Sequence, residues 1–121
     1  MLINEAIVDI LVAQYPDMSI HLNQFQDEVD AVMVESEGGN VRSASIPDQA
    51  FVKEAVSVYV RNTKHRACID TAESIYRFLL TNLGSGNCIT SVMTLNTPYL
   101  YSRTDNNEYI FNLRLQYTYK Q

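Results

Sequence analysis

The last stretch of the chain, YIFNLRLQYTYK from Tyr109 to Lys120, alternates with period two. Tyr109, Phe111, Leu113, Leu115, Tyr117 and Tyr119 fall on one side, and Ile110, Asn112, Arg114, Gln116 and Thr118 on the other. That is a strand with one buried face. Upstream, TKHRACIDTAESIYRFLLTNLG changes to helical spacing, with Cys68, Ile69, Ala72, Ile75, Tyr76, Leu79, Leu80 and Leu83 in one stripe. Asn62 or Thr63 can cap its start, and Gly84 can supply a left-handed residue at its end. A first helix is predicted over Asn4 to Gln14, where Ile3, Ile7, Ile10, Leu11 and Tyr15 recur and Pro16 stops the run.

The remaining segments supply shorter strands. VDAVMVES (29–36) and VSVYVRN (56–62) are rich in β-branched residues, and Val56, Val58 and Val60 share a face. PDQAFVKEA, just before the second of these, can also be written as a short helix. HLNQFQDE (21–28) reads as irregular or a weak strand. A further strand is expected over 88–95, ended near Pro98. PYLYSRTDNNE then reads as a turn-rich connector, with Asp105, Asn106 and Asn107 suited to a tight reversal. Residues 36–50, SEGGNVRSASIPDQA, are the most loop-like; loops of about 15 residues inside a compact domain tend to be functional or to order on binding, the alternative here being an indifferent surface loop. The order α-β-β-α-β-β predicts an α+β fold, a mostly antiparallel sheet with helices packed on one face.

Length fits one domain over 1–121, enough chain to bury about 65–70% of its unfolded surface. The beginning, MLINEAIVDILVAQYP, carries Glu5 and Asp9 and has no basic leader, so a signal peptide is not expected. No apolar run approaches the ~20 residues of a membrane span, and Cys68 and Cys88 are expected as free buried thiols of a cytosol. Charge is unevenly shared: residues 1–50 hold nine carboxylates against Arg42 alone (−8), and residues 51–121 hold eight bases against five carboxylates (+3). An acidic chain without a basic run does not read nucleic acid by phosphate neutralisation. Halves of opposite charge favour head-to-tail contact between copies.

Chemistry is scarce. His65 and Cys68 stand three apart near Asp70, but Cys68 belongs to the apolar stripe, where a thiol is inert, and two ligands make no metal site. His21 reads as a surface histidine. Gly84-Ser85-Gly86 is too short to cradle a phosphate, and no nucleotide, metalloprotease or esterase motif is present. Asp27, Glu28 and Asp30 read as a solvated acidic face. No enzyme activity and no cofactor are expected.

Residues 56–119 resemble the tail terminator and minor capsid proteins of long-tailed bacteriophages. The resemblance is carried by a strand ending in a basic residue, a helix with Ala72, Ile75, Tyr76 and Leu79, and a later run with Pro98, Leu100, Arg103, Asp105, Glu108, Phe111 and Asn112-Leu113-Arg114. It implies a homo-hexameric ring in the virion, at the head-tail junction, that caps the tail tube and docks the head-closure or connector protein. DNA would pass through it without sequence-specific binding. Subunit or partner contacts are expected at Arg42, Ile46, Asp48, Arg61, Tyr99, Tyr101, Arg103, Asp105, Arg114 and Gln116. The Asn112, Arg114, Gln116 and Thr118 face is expected to meet a neighbouring subunit or line the channel. Alternatives are a head-closure (stopper) protein of the same junction, or a small intracellular adaptor that binds peptides by strand addition.

Overall fold

The structure, a computed structural model, describes residues 3–25, 30–37, 41–42, 51–82 and 89–120. Its elements are α1 (Ile3–Gln14), β1 (Ser19–Leu22), β2 (Ala31–Ser36), β3 (Val41–Arg42), β4 (Phe51–Asn62), α2 (His65–Thr81), β5 (Ile89–Arg103) and β6 (Tyr109–Lys120). The α+β architecture with a mostly antiparallel sheet is as expected. Strands run in the order β1-β2-β4-β6-β5, and β3 pairs with β4 beside this path. Only β1 and β2 are parallel among the described pairs.

Several boundaries differ from the sequence expectation, each for a physical reason. The weak strand expected over 21–28 lies earlier: polar His21 masks an alternation in which Ile20 packs against the core, so Ser19–Leu22 is the strand. His21 is half-buried on that strand rather than a surface histidine. Within the expected long loop, Val41 and Arg42 pair with Lys53 and Val52. Ile46 and Asp48 lie outside the described residues, as do Asp27, Glu28, Leu83, Gly84 and Cys88.

The short helix written for PDQAFVKEA is not formed over its described part; β4 begins at Phe51 and pairs with β6 over its full length. Glu54, which made the segment look helical, faces the core side with 7% exposure. Its carboxylate accepts hydrogen bonds from the Tyr119 hydroxyl at 2.9 Å and from the Ser36 hydroxyl. Those donors compensate a burial that would otherwise be expensive.

β5 does not end near Pro98 but continues to Arg103. It is an edge strand, so Pro98 has a side with no ladder to satisfy. Its register against β6 slips at Ile89/Ser91, Thr94/Asn96, Asn96/Tyr99 and Leu100/Ser102. From Ile89 to Arg103 is fourteen steps, against ten from Tyr119 to Tyr109 on β6, so β5 carries four extra residues as bulges. The expected reversal does close the hairpin. The Thr104 N–H donates to the Glu108 carbonyl at 2.8 Å, and Asn107 takes the left-handed conformation (φ 60°) that asparagine tolerates.

Both helices lie on one face. α1 contributes Ile3, Ala6, Ile7 and Leu11, and α2 contributes Cys68, Ala72, Ile75 and Leu79. They meet Val32, Val34, Val56, Val58, Val60, Leu113, Leu115 and Tyr117 in one core. Burying side chains of the size of Ile75 or Leu79 stabilises by about 1.5–3 kcal/mol each. Neither Asn62 nor Thr63 caps α2: the N-cap position is Lys64, whose N–H donates to the Asn62 side chain at 2.8 Å. Among the described residues, no helix is long and apolar enough to cross a membrane.

Candidate interaction surface

The strand residues that alternate away from the helices form a second face. On β4 these are Lys53, Ala55, Ser57, Tyr59 and Arg61; register places Glu35 and Arg114 on either side of Ser57, and Met33 and Asn112 on either side of Tyr59. Tyr99 lies beyond Asn112 on β5. This face is not bare. The Arg114 Nε donates to both Glu37 carboxylate oxygens at 3.0 Å, and its Nη2 donates to one of them at 2.9 Å. That forked pair reaches from β6 to the residue that follows β2, and Ser57, opposite Arg114 on β4, is only 2% exposed. The hydrogen bonds that Glu37 accepts push the Arg114 guanidinium above its usual range.

Beside this pair, the Tyr59 and Tyr101 rings meet edge to face, 5.2 Å apart at 76°. Burial is the main cause that pushes the Tyr59 phenol upward. Asn112, between Tyr59 and Tyr99 in the ladder, is 1% exposed and donates from Nδ2 to the Val58 carbonyl at 3.3 Å. Its place in the expected contact face is therefore corrected: Asn112 is inside. Period two tells which side a residue takes, but not what its neighbours lay over it.

The residues expected to make contacts separate into groups. Tyr99, Tyr101, Arg114 and Gln116 share the helix-free side. Arg103 and Asp105 lie at the β5–β6 turn and are exposed. Arg103 donates to the Asn107 side chain at 3.2 Å, and its guanidinium lies 5.3 Å from the Tyr109 ring centre. Arg61 is engaged within the chain: it pairs with Glu108 at 3.4 Å and stacks 4.3 Å over Phe25, with its side chain 14% exposed. For Arg42 only the backbone in β3 is described.

Sequence reasoning missed Tyr59, an aromatic at a position that alternation assigns to the polar side. It also missed Glu37, the partner of Arg114, and the apolar exposure of β5. Met93, Leu95, Tyr99, Leu100 and Tyr101 are each at least 36% exposed. Of the described large hydrophobic residues, Val12 alone matches them away from this strand. Aromatic and aliphatic side chains concentrated on one exposed strand make β5 the candidate contact element among the described residues. The bulges set the β5 backbone out of regular register, which discourages pairing with an added strand. The side chains of β5, rather than its edge hydrogen bonds, are what a partner would grip.

The Cys68 thiol is fully buried, donates to the Val60 carbonyl at 3.1 Å, and is pushed up to about 11 by burial. His65 stacks edge-on 4.9 Å from the Tyr109 ring. No group of three or more metal-ligating side chains occurs among the described residues. A cleft of about 420 Å³ opens between the end of α1 and the starts of β1 and β2, lined by Tyr15, Pro16, Asp17, Met18 and Arg61 among others.

No protein-family model matches the chain, and none of the curated proteins does. Its fold is similar to that of a chain in a solved structure titled as the virion of a native gene transfer agent particle. The TM-score is 0.64 at 11% identity, over 93% of this chain and 85% of that one. What the two chains share at that identity is the fold.

Proposed function

We propose that this chain is a structural protein of a phage-like virion, placed at the head-tail junction, where a ring of copies caps the tail tube and offers its other side to the head. The observation that carries the reading is the fold, shared over nearly the whole chain with a component of a virion. The motifs of residues 56–119 support the narrower assignment to a tail terminator. The surface suits a junction ring in two ways. An exposed apolar strand supplies contact area, and the acidic first half repels DNA so that it slides past. Contacts are assigned to copies of itself, to the tail tube protein and to the head-closure protein, and the location to the virion after assembly in the host cytoplasm.

The test is light scattering of the purified chain over a concentration series, with negative-stain images of the same fractions alone and mixed with tail tubes of its own particle. Rings with a central hole, or density capping one tube end, are expected. A persistent monomer that leaves tubes uncapped would overturn the assignment.

A further inference from the structure

From the cross-strand registers and the distribution of exposed side chains, we infer that the upper half of β5 docks against the β1 edge of a second copy of this chain. The inference rests on the ring reading above and states which two surfaces meet in it.

A head-to-tail ring needs two different, complementary patches on each chain, on opposite flanks and at matching height. The sheet provides both. Ser19, Ala31, Arg61, Ile110 and Ser102 are successive ladder partners, so they form one row that crosses β1, β2, β4, β6 and β5. Four strand spacings make that row about 19 Å wide. At its other limit β1 reaches Leu22, in the row of Val34, Val58 and Leu113; on β5 that row falls between Asn96 and Tyr99. The four residues of β1 thus stand level with the part of β5 that carries Tyr99, Leu100, Tyr101 and Ser102, and Arg103 stands one row above, level with Asn62. Met93 and Leu95 lie below this level, where β1 has ended, and are left for a different partner.

The charges complement each other too. Residues 3–37 contain no lysine or arginine, and Asp17 and Asp30, which border β1 and β2 at the upper end of the row, are exposed. On β5 the one charged residue is Arg103, also exposed. Tyrosines at the centre with an arginine at the rim make an anchor of the kind that dominates protein interfaces, and an acidic flank is its match. The β5 bulges favour side-chain docking over a continuous sheet between copies, and the small size of β1 gives little backbone to pair with.

Cysteine cross-linking tests the contact directly. Asp17→Cys and Tyr101→Cys are made separately in a Cys88→Ser background; the remaining Cys68 is buried. A short bis-maleimide is applied to each variant alone and to their mixture, at high concentration and after incubation with tail tubes. Cross-linked dimers are expected in the mixture only, and a ladder of higher species in the chain carrying both substitutions. Arg103→Glu should raise the concentration needed for assembly about three- to fivefold, the scale of one lost rim charge pair, and Asp17→Arg in the same chain should reverse it. Rings or capped tubes without the 17–101 cross-link would overturn this pairing of surfaces and leave the terminator reading standing. Absence of any assembly, in solution and on tubes, would remove both.

Discussion

Two tyrosines two residues apart on β6 should respond in opposite directions to the same change. Tyr117 is fully buried, and its hydroxyl has no hydrogen-bond partner among the described residues. A buried hydroxyl left without a partner costs about 1–3 kcal/mol of desolvation, so Tyr117→Phe removes a penalty and little else. A net gain of about 1 kcal/mol is expected, which in a domain of this length raises Tm by about 3–6 °C. Tyr119 donates to the buried Glu54 carboxylate at 2.9 Å. Tyr119→Phe should therefore cost about 1.5–3 kcal/mol, the worth of a bond to a charged group.

Urea unfolding followed by circular dichroism reads both changes, and an unchanged m-value would locate them in the folded state. Alkaline pH adds an independent signature. Burial raises the Tyr117 phenol above its ordinary value of 10.0, so the folded chain holds that proton longer than the unfolded chain does. Stability is then fully present below pH 10 and falls above it, by about 1.4 kcal/mol per pH unit for one proton. Tyr117→Phe should remove that share of the slope and leave the share of Tyr59, whose phenol burial also raises. The Cys68 slope, between 9.0 and about 11, should remain. A loss of stability on Tyr117→Phe comparable to that of Tyr119→Phe would refute the reasoning, since the hydroxyl would then have a partner.

Other expectations are simpler. Leu79→Ala, on the buried stripe of α2, should cost about 2–5 kcal/mol in the same urea titration. A double-mutant cycle on Arg114 and Glu37 should give a coupling of about 0.5–1 kcal/mol, kept small because both side chains are about a third exposed and therefore screened. In the Cys88→Ser protein, the Cys68 thiol should not react with an aromatic disulfide at pH 8 until the chain is unfolded; prompt reaction would mean that the α2 stripe opens.

The legibility of this chain varies with how closely local chemistry matches tertiary demand. β6 and α2 are readable because their apolar periods are uninterrupted and the core takes the face that the period offers. β4 is half-readable: Lys53, Glu54 and Ala55 favour a helix on their own, and only the hydroxyls of Tyr119 and Ser36 make a core-facing Glu54 tolerable. Neither donor is near it in sequence. Pro98 reads as a breaker until it is known that β5 is an edge, and edge status belongs to the assembled sheet. Of the residues expected to make contacts, Tyr99, Tyr101 and Arg103 are exposed on β5. Asn112 and Arg61 are not separable from surface residues in the sequence, because what covers them arrives from β2, β5 and the segment that holds Phe25.

The four extra residues of β5 also bear on how such a chain varies over generations. In a regular strand, a one-residue insertion or deletion throws every later side chain onto the wrong face. A strand that already stores surplus residues at separate points can lose one or gain another there, and re-seat the register within a few positions. Length changes in related chains are thus expected inside β5 itself rather than in the turn that follows. An alignment that forbids gaps within strands will break at this element even where the backbones superpose.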